Sequence, residues 1–137
     1  MLYSLLLIHL KLHDEFVTEI SFITTKHYFY ASKTEPSMII YNVTIKVEND
    51  IVEDWINWMQ GEHINDLIAT GLFVRCRLCR LLEQDETDGV TFSAQYECDN
   101  LEKYNTYISD YAPIMREKGF KRFGGRFIAF RSVMEVL

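Results

Sequence analysis

Two stretches of this sequence share one local design, in which an alternating strand leads directly into the start of a helix. Apolar and polar side chains alternate over residues 39 to 48 and again over residues 90 to 98. After each stretch, an aspartate stands three residues before a glutamate. This spacing is typical of a helix N-terminus, where side-chain oxygens accept hydrogen bonds from free backbone amides. The two pairs are Asp50 with Glu53, and Asp99 with Glu102.

Apolar residues spaced three and four positions apart predict a helix after each of these pairs. Gly61 is expected to kink the first helix and Gly71 to end it, whereas Pro113 should break or restart the second. The predicted stripe of the first helix is Val52, Ile56, Met59, His63 and Leu67, with Trp55 and Trp58 at its flanks, and that of the second is Leu101, Tyr104, Ile108, Tyr111 and Met115.

Two further strands are predicted over residues 72 to 82 and 126 to 137, and "EQDETDG" (83 to 89) supplies a turn between the second and third strands. The order is therefore β-α-β-β-α-β, which is the ferredoxin-like arrangement of the α+β class. Right-handed connections place both helices on one face of a four-stranded antiparallel sheet. The first and third strands are expected at its centre.

Length and charge exclude several classes of protein. The 137 residues suffice for one domain with its own core, and the net charge of −6 argues against nucleic-acid binding. Leu5-Leu6-Leu7-Ile8 is too short to span a membrane and has neither the basic start nor the cleavage site of a signal peptide. Three cysteines without a secretory context favour the reducing cytoplasm.

The first 37 residues differ in composition from the rest. They hold three of the four histidines and none of the six glycines. We interpret residues 38 to 137 as the domain and residues 1 to 37 as an appendage, as if translation began properly at Met38. Alternatively, "FVTEISFITT" (16 to 25) forms an additional strand.

The alternation divides the strand residues between two faces of the sheet. The apolar set, Val43, Ile45, Val74, Leu78, Phe92, Ala94 and Tyr96, is expected beneath the helices. The opposite face would carry Asn42, Thr44, Lys46, Arg75, Arg77, Cys79, Ser93, Gln95, Glu97 and Arg131. One interpretation is a solvated face with ion pairs such as Arg77 with Glu97. In the other, two such faces meet in a homodimer and enclose a polar cavity, where Arg75, Arg77, Gln95, Glu97 and Arg131 bind a small ligand.

Three stretches resemble an uncharacterised bacterial family of short proteins of unknown function. They are "HINDLIATGLF" (63 to 73), "RFGGRFIAFRSVMEVL" (122 to 137) and the paired tryptophans of "DWINWMQGEH". The resemblance covers about residues 38 to 137 and implies a ferredoxin-like domain that pairs into a dimeric α+β barrel. Asn65 departs from it, because such proteins often carry proline there. The family has no assigned activity, so it implies no cofactor.

His63 is the only histidine of residues 38 to 137 and the one side chain expected to titrate near neutral pH. By analogy with dimeric α+β-barrel enzymes it is a candidate catalytic residue. A histidine on an apolar helix stripe is, however, more often a packing residue, and fold analogy is a weak warrant for chemistry.

Two other clusters favour structural interpretations. Cys76 and Cys79 form a C-x-x-C pair, but residues three apart on a strand point to opposite faces, so we expect no metal site. Five cations lie close to three glycines and could hold a phosphate or carboxylate. Their position favours the alternative that they stabilise a helix C-terminus and protect an edge strand. They are Arg116, Lys118, Lys121, Arg122 and Arg126.

The sequence leaves two hypotheses for function. The favoured one is a small homodimeric domain that binds a ligand or a regulatory partner. The alternative is a cofactor-independent enzyme, similar to a monooxygenase or isomerase, that uses His63 with Arg75 or Arg77 on a small anionic or aromatic molecule.

Overall fold

The computed structural model describes residues 37 to 137. Two predictions fall on residues 1 to 36, outside the described part of the chain: the N-terminal appendage and the additional strand at residues 16 to 25. Both stay predictions.

Four strands and two interrupted helices follow one another in the predicted order. The strands are β1 (Ile39–Val47), β2 (Arg75–Arg80), β3 (Val90–Cys98) and β4 (Phe127–Glu135). Helix α1 consists of Val52–Trp58 and Ile64–Ala69, which are joined by a π-helical turn at Met59–His63. Helix α2 consists of Leu101–Thr106 and Ala112–Phe123, which are joined by a π-helical turn at Tyr107–Tyr111. Within residues 37 to 137, no helix combines the length and the apolar character that crossing a bilayer requires.

The four strands form one antiparallel sheet in the order β2-β3-β1-β4. The predicted ferredoxin-like α+β fold is therefore confirmed, with β1 and β3 at the centre. The nine residues 81 to 89 connect β2 to β3, which pair antiparallel as expected.

The strand register assigns each side chain to one of two sides, because successive residues of a strand point in opposite directions. We call the side on which the helices pack the helix side, and the other the open face. The helix side carries Tyr41, Val43 and Ile45 with their cross-strand neighbours Tyr96, Ala94 and Phe92. The open face carries Asn42, Thr44 and Lys46 with their neighbours Gln95, Ser93 and Thr91.

The core lies between the helix side and the two helices. Trp55, Leu67 and Tyr96 are almost completely buried, and the Trp55 ring lies 4.9 Å from that of Phe92. Tyr41 contacts an aromatic cluster at ring-centroid distances of 5.5 to 6.1 Å. Its members are Phe73, Tyr96, Tyr104 and Tyr107.

The buried stripes differ from those predicted. Trp55 and Trp58 occupy the centre of the buried face of α1 rather than its flanks. In α2, Tyr107 is buried, whereas Leu101 and Tyr111 are exposed. A π-helical turn holds one more residue than an α-helical turn, so the residues beyond it are rotated relative to a regular helix.

The helix N-termini also differ from the prediction. Asp50 does not cap α1, which follows a short 3₁₀ turn at Asn49–Ile51 and has no side-chain cap. The N-cap of α2 is Asn100 rather than Asp99, and its side chain accepts a hydrogen bond of 2.9 Å from the Lys103 amide. Gly71, at φ 74°, ends α1 as expected.

Candidate ligand site between the helices and the sheet

A cavity of about 330 Å³ lies between the helix side of the sheet and the two helices. This volume falls within the range of about 300 to 1,000 Å³ that is typical of small-molecule sites. Its walls are mostly apolar and aromatic, and the largest buried side chains of the core, Trp55, Leu67 and Tyr96, contribute to them.

The cavity opens between α2 and β4. Met115, Gly119 and Phe123 recur every four residues and form the buried stripe of α2. Arg116 and Phe120 each follow a residue of this stripe, line the cavity and are exposed. Ala129 of β4 lines the cavity and is also exposed. We call Arg116, Phe120 and Ala129 the mouth of the cavity.

Gly119 sets the distance between the two helices beside this cavity. A methyl group at this position would lie 3.3 Å from Cη2 of Trp58 and 3.4 Å from Cζ of Phe127. The glycine therefore allows the Trp58 ring to reach the cavity wall.

His63 stands at the end of the π-helical turn of α1 and lines the cavity. Its ring stacks on Trp58 at a centroid distance of 4.3 Å, and its Nδ1 atom is buried without a hydrogen-bond partner. Burial lowers the pKa of His63 to about 4; the negative charge of Asp66 opposes this effect and the positive charge of Lys118 adds to it. The expectation that His63 titrates near neutral pH is therefore wrong, since the imidazole is uncharged there.

Two cavity tyrosines remain protonated over a wide pH range. Burial raises the pKa of both Tyr41 and Tyr107. The positive charge of Arg116 acts in the opposite direction on both, and that of Arg131 acts so on Tyr41. Each phenol is therefore a neutral group that can donate a hydrogen bond.

Most lysines and arginines in the described part of the chain pair with a carboxylate. Lys118 contacts Asp66 at 2.7 Å, Lys121 contacts Glu117 at 2.8 Å, and other pairs involve Arg122 and Arg126. These contacts favour the structural interpretation of the cation cluster. Within residues 37 to 137, three arginines make no ion pair: Arg77, Arg116 and Arg131.

The predicted ligand residues are divided between the two sides of the sheet. Arg75 lies opposite Glu97 on the open face and pairs with it at 2.7 Å. The ion-pair partner of Glu97 is therefore Arg75 rather than the expected Arg77. Arg77 lies opposite Gln95 on the same face.

The placement of Arg131 on the open face is wrong. It pairs with Val43 in the register and so belongs to the helix side, next to the cavity.

His63 and the arginines of β2 cannot line one pocket. His63 faces the cavity on the helix side, whereas Arg75 and Arg77 are on the open face, with the sheet between them. The hypothesis that combined them in one catalytic site is wrong for this reason.

The two cysteines of the C-x-x-C pair lie on opposite sides of β2, as expected. Cys76 is opposite Tyr96 on the helix side, and Cys79 is opposite Ser93 on the open face. Burial raises the pKa of Cys76 to about 11, so it is a thiol at neutral pH.

Sequence reasoning missed the residues that form the mouth of the cavity. The charge pattern groups Arg116 with four neighbouring cations, and nothing in a charge count separates it from the paired ones. Helical spacing offers a signal, because Arg116 and Phe120 are four residues apart and directly follow Met115 and Gly119 of the buried stripe.

The open face combines a polar centre with an apolar edge. Ser93 donates a 2.6 Å hydrogen bond to the Asn42 side chain, which donates to Ser132 and Thr44 at 3.2 Å. Along β4, Ile128 is 72% exposed and Phe130 is 66% exposed. Both belong to the open face, because they pair with Lys46 and Thr44.

Comparisons with known proteins agree with the fold and assign no activity. A family model described as "Domain of unknown function (DUF4286)" matches residues 38–137. No curated protein matches the sequence.

Two solved structures share the fold at low sequence identity. One is a dimeric ferredoxin-like protein from an uncultured marine organism, with a TM-score of 0.59, 11% identity, and 74% of this chain and 96% of that chain covered. The other is a conserved protein of unknown function from Bacteroides thetaiotaomicron VPI-5482, described as a possible oxidoreductase, with a TM-score of 0.55, 13% identity, and 73% and 98% of the two chains covered.

Proposed function

The chain belongs to the DUF4286 family of domains of unknown function, and on that premise we propose that it is a homodimeric domain that binds a small molecule in the cavity between its helices and its sheet. The observation that carries this proposal is the cavity of about 330 Å³ with its aromatic walls and a few polar groups. Such a combination is the usual form of a ligand site.

The cavity is unlike an ordinary packing defect. Protein interiors are close-packed, and voids larger than a water molecule are few. Here the open volume is lined by large side chains, including Trp58 and Met115. Both helices also change to a π-helical turn beside the cavity, and these turns supply His63 and Tyr107 to its wall. Such turns are frequent at functional sites.

Binding rather than catalysis is the activity that the polar groups favour. A general base works best when its pKa is close to the working pH. His63, with a pKa of about 4, is a weak base at neutral pH. Its ring suits a role in shaping the wall of the cavity, where it stacks on Trp58.

The homodimer is proposed to form through the open face. Ile128 and Phe130 expose apolar side chains on this face, and exposed apolar patches often mark sites of association. A solved protein of the same fold is described as dimeric, which supports the proposal. We also propose a cytoplasmic location, since all three cysteines are free.

A neutral fluorescent probe tests the cavity directly. N-phenyl-1-naphthylamine is apolar and brightens when it leaves water, so we expect its fluorescence to rise on titration with the protein. Ala129→Trp places an indole at the mouth of the cavity and should abolish most of this rise. Asn105→Trp, at an exposed position of α2 away from the cavity, is the control and should bind like the wild type.

Two outcomes would contradict a cavity site. One is a wild-type protein that leaves the probe fluorescence unchanged. The other is equal loss of binding in the two tryptophan variants while both keep the wild-type circular dichroism spectrum.

A further inference from the structure

We infer that the ligand is an organic acid with a flat apolar body, whose carboxylate is held at the mouth of the cavity by Arg116 and Arg131. The inference rests on the proposed function, because it names the class of molecule that the cavity binds.

Arg116 is placed and oriented as an anion-binding residue. It lines the cavity on the α2 side of the mouth. Its Nε–H donates a 3.1 Å hydrogen bond to the carbonyl oxygen of Ala112, one helical turn earlier. This contact holds the Nε atom in place and leaves the two terminal nitrogens, Nη1 and Nη2, to donate hydrogen bonds to another acceptor.

Arg131 approaches from the β4 side. In the register it lies opposite Val43, and Ala129, two residues earlier on the same side of the strand, lies opposite Ile45. Val43, Ile45 and Ala129 all line the cavity, so Arg131 continues the same row of side chains at the edge of the sheet. The two arginines therefore flank the mouth from a helix and a strand.

Tyr41 is close enough to both arginines to feel their charges. It lines the cavity, and the positive charges of both Arg131 and Arg116 act on its hydroxyl group. A carboxylate between the arginines would thus also lie near a neutral phenol that can donate a hydrogen bond. Arginine is suited to this role, since its planar fork matches the two oxygens of a carboxylate.

The charge balance of the domain favours an anion at this place. Eight cationic side chains of residues 37 to 137 pair with carboxylates, among them all four lysines. Two of the three arginines that make no ion pair are Arg116 and Arg131. Among the described residues, 37 to 137, those that line the cavity include no carboxylate, so a cationic ligand would find no counter-charge among them.

The interior of the cavity determines the rest of the ligand. Trp55, Trp58 and Tyr96 line it, and aromatic walls favour a flat apolar body. His63 and the tyrosines that line the cavity are uncharged at neutral pH and add no second ionic site.

Two compounds of equal shape and different charge test this inference. 2-Naphthoate carries the carboxylate, whereas 2-naphthamide is its neutral counterpart, and isothermal titration calorimetry measures both. We expect wild-type protein to bind 2-naphthoate at least about tenfold more tightly, as charge-assisted hydrogen bonds typically allow. Arg116→Gln and Arg131→Gln should each weaken the binding of 2-naphthoate more than that of 2-naphthamide, and so remove most of this preference.

Arg122→Gln is the matched control. Arg122 belongs to the same helix as Arg116 but pairs with Asp54 at 3.1 Å, so its loss should leave the preference for 2-naphthoate intact. Equal affinity of wild-type protein for the two compounds overturns the inference and leaves the proposed function standing. A preference for 2-naphthoate that survives both arginine substitutions also overturns the inference and leaves the proposed function standing. Failure of both compounds to bind at millimolar concentration overturns the proposed function and the inference together.

Discussion

Burial of the His63 side chain costs free energy, because its Nδ1 atom is buried without a hydrogen-bond partner. The ring keeps its place through the stack on Trp58, and the uncharged form avoids the larger cost of a buried cation. The sequence identified His63 as the single histidine of the domain. It could not reveal the burial that moves the pKa, since this depends on side chains from α1 and α2 that meet only in the folded chain.

The pH dependence of stability follows from this burial. The pKa of His63 falls from its usual 6.5 to about 4 on folding, so the unfolded chain binds the proton more readily. The contribution of His63 to the free energy of unfolding is close to zero well above pH 6.5. It lowers the stability increasingly as the pH falls towards 4. Between pH 7 and pH 5 we expect a loss of about 2 kcal/mol in the free energy of unfolding.

His63→Phe isolates this effect, because phenylalanine keeps an aromatic ring against Trp58 and removes the titrating group. Urea unfolding at pH 7 and pH 5 should show the wild type losing more stability than the variant by about 2 kcal/mol. The histidines at positions 9, 13 and 27 are present in both proteins, so their effects cancel in the comparison. The same loss in both proteins would show that His63 is not buried as described.

At the scale of single elements, the two helices contain the largest departures from the sequence pattern. A regular helical period predicts which side chains face the core, and this works for Met59, Leu67 and Met115. It fails for Tyr107, which lies in the π-helical turn of α2, and for Trp55 and Trp58, which precede the turn of α1 and are buried rather than at the flank of the stripe. The sequence predicts much of the cavity wall as core, including Met59, Leu67 and Met115, but not the cavity itself.

The start of α2 offers a test at the same scale. Asn100→Ala removes the side-chain acceptor for the Lys103 amide and should lower the free energy of unfolding by about 1 kcal/mol. In a domain of this size, that corresponds to a fall of roughly 4 to 8 °C in Tm. Differential scanning calorimetry of the purified proteins measures it.

Asp99→Ala is the matched control, since Asp99 is the residue that the sequence pattern predicted as the cap. Its ion pair with Lys103 is exposed, so its loss should cost no more than about 0.5 kcal/mol. A larger destabilisation for Asp99→Ala than for Asn100→Ala would support the predicted cap over the observed one.

For the whole molecule, the sequence was sufficient to predict the order of elements and the central position of β1 and β3. It was not sufficient to assign the two sides of β4. In β1 and β3 apolar and polar residues alternate, so one side is marked for burial. In β4 both sides carry apolar residues, with Phe127 and Val133 on the helix side and Ile128 and Phe130 on the open face. The period-2 signal is absent there, and Arg131 was assigned to the wrong side as a result.

The apolar residues of β4 on the open face also bear on how the protein assembles. Ferredoxin-like sheets have helices on one side only, and within residues 37 to 137 the open face carries an apolar strip along an edge strand. Exposed edge strands with apolar residues are prone to associate with other chains. Closing two open faces over each other would cover Ile128 and Phe130 in both copies. It would also remove the Asn42 to Ser93 hydrogen bond from water, at a small cost because both groups are already paired.

Two phenylalanines with nearly equal exposure allow a controlled test of the proposed dimer. Phe130 is 66% exposed on the open face, and Phe120 is 64% exposed on α2 at the mouth of the cavity. Phe130→Glu would bury an unpaired carboxylate in the interface and should weaken the dimer by at least about 100-fold. Phe120→Glu makes the same chemical change away from the open face and should leave the dimer unchanged. Sedimentation velocity over a range of micromolar concentrations distinguishes the two. A wild-type protein that is monomeric throughout this range, or an equal effect of both substitutions, would contradict association through the open face.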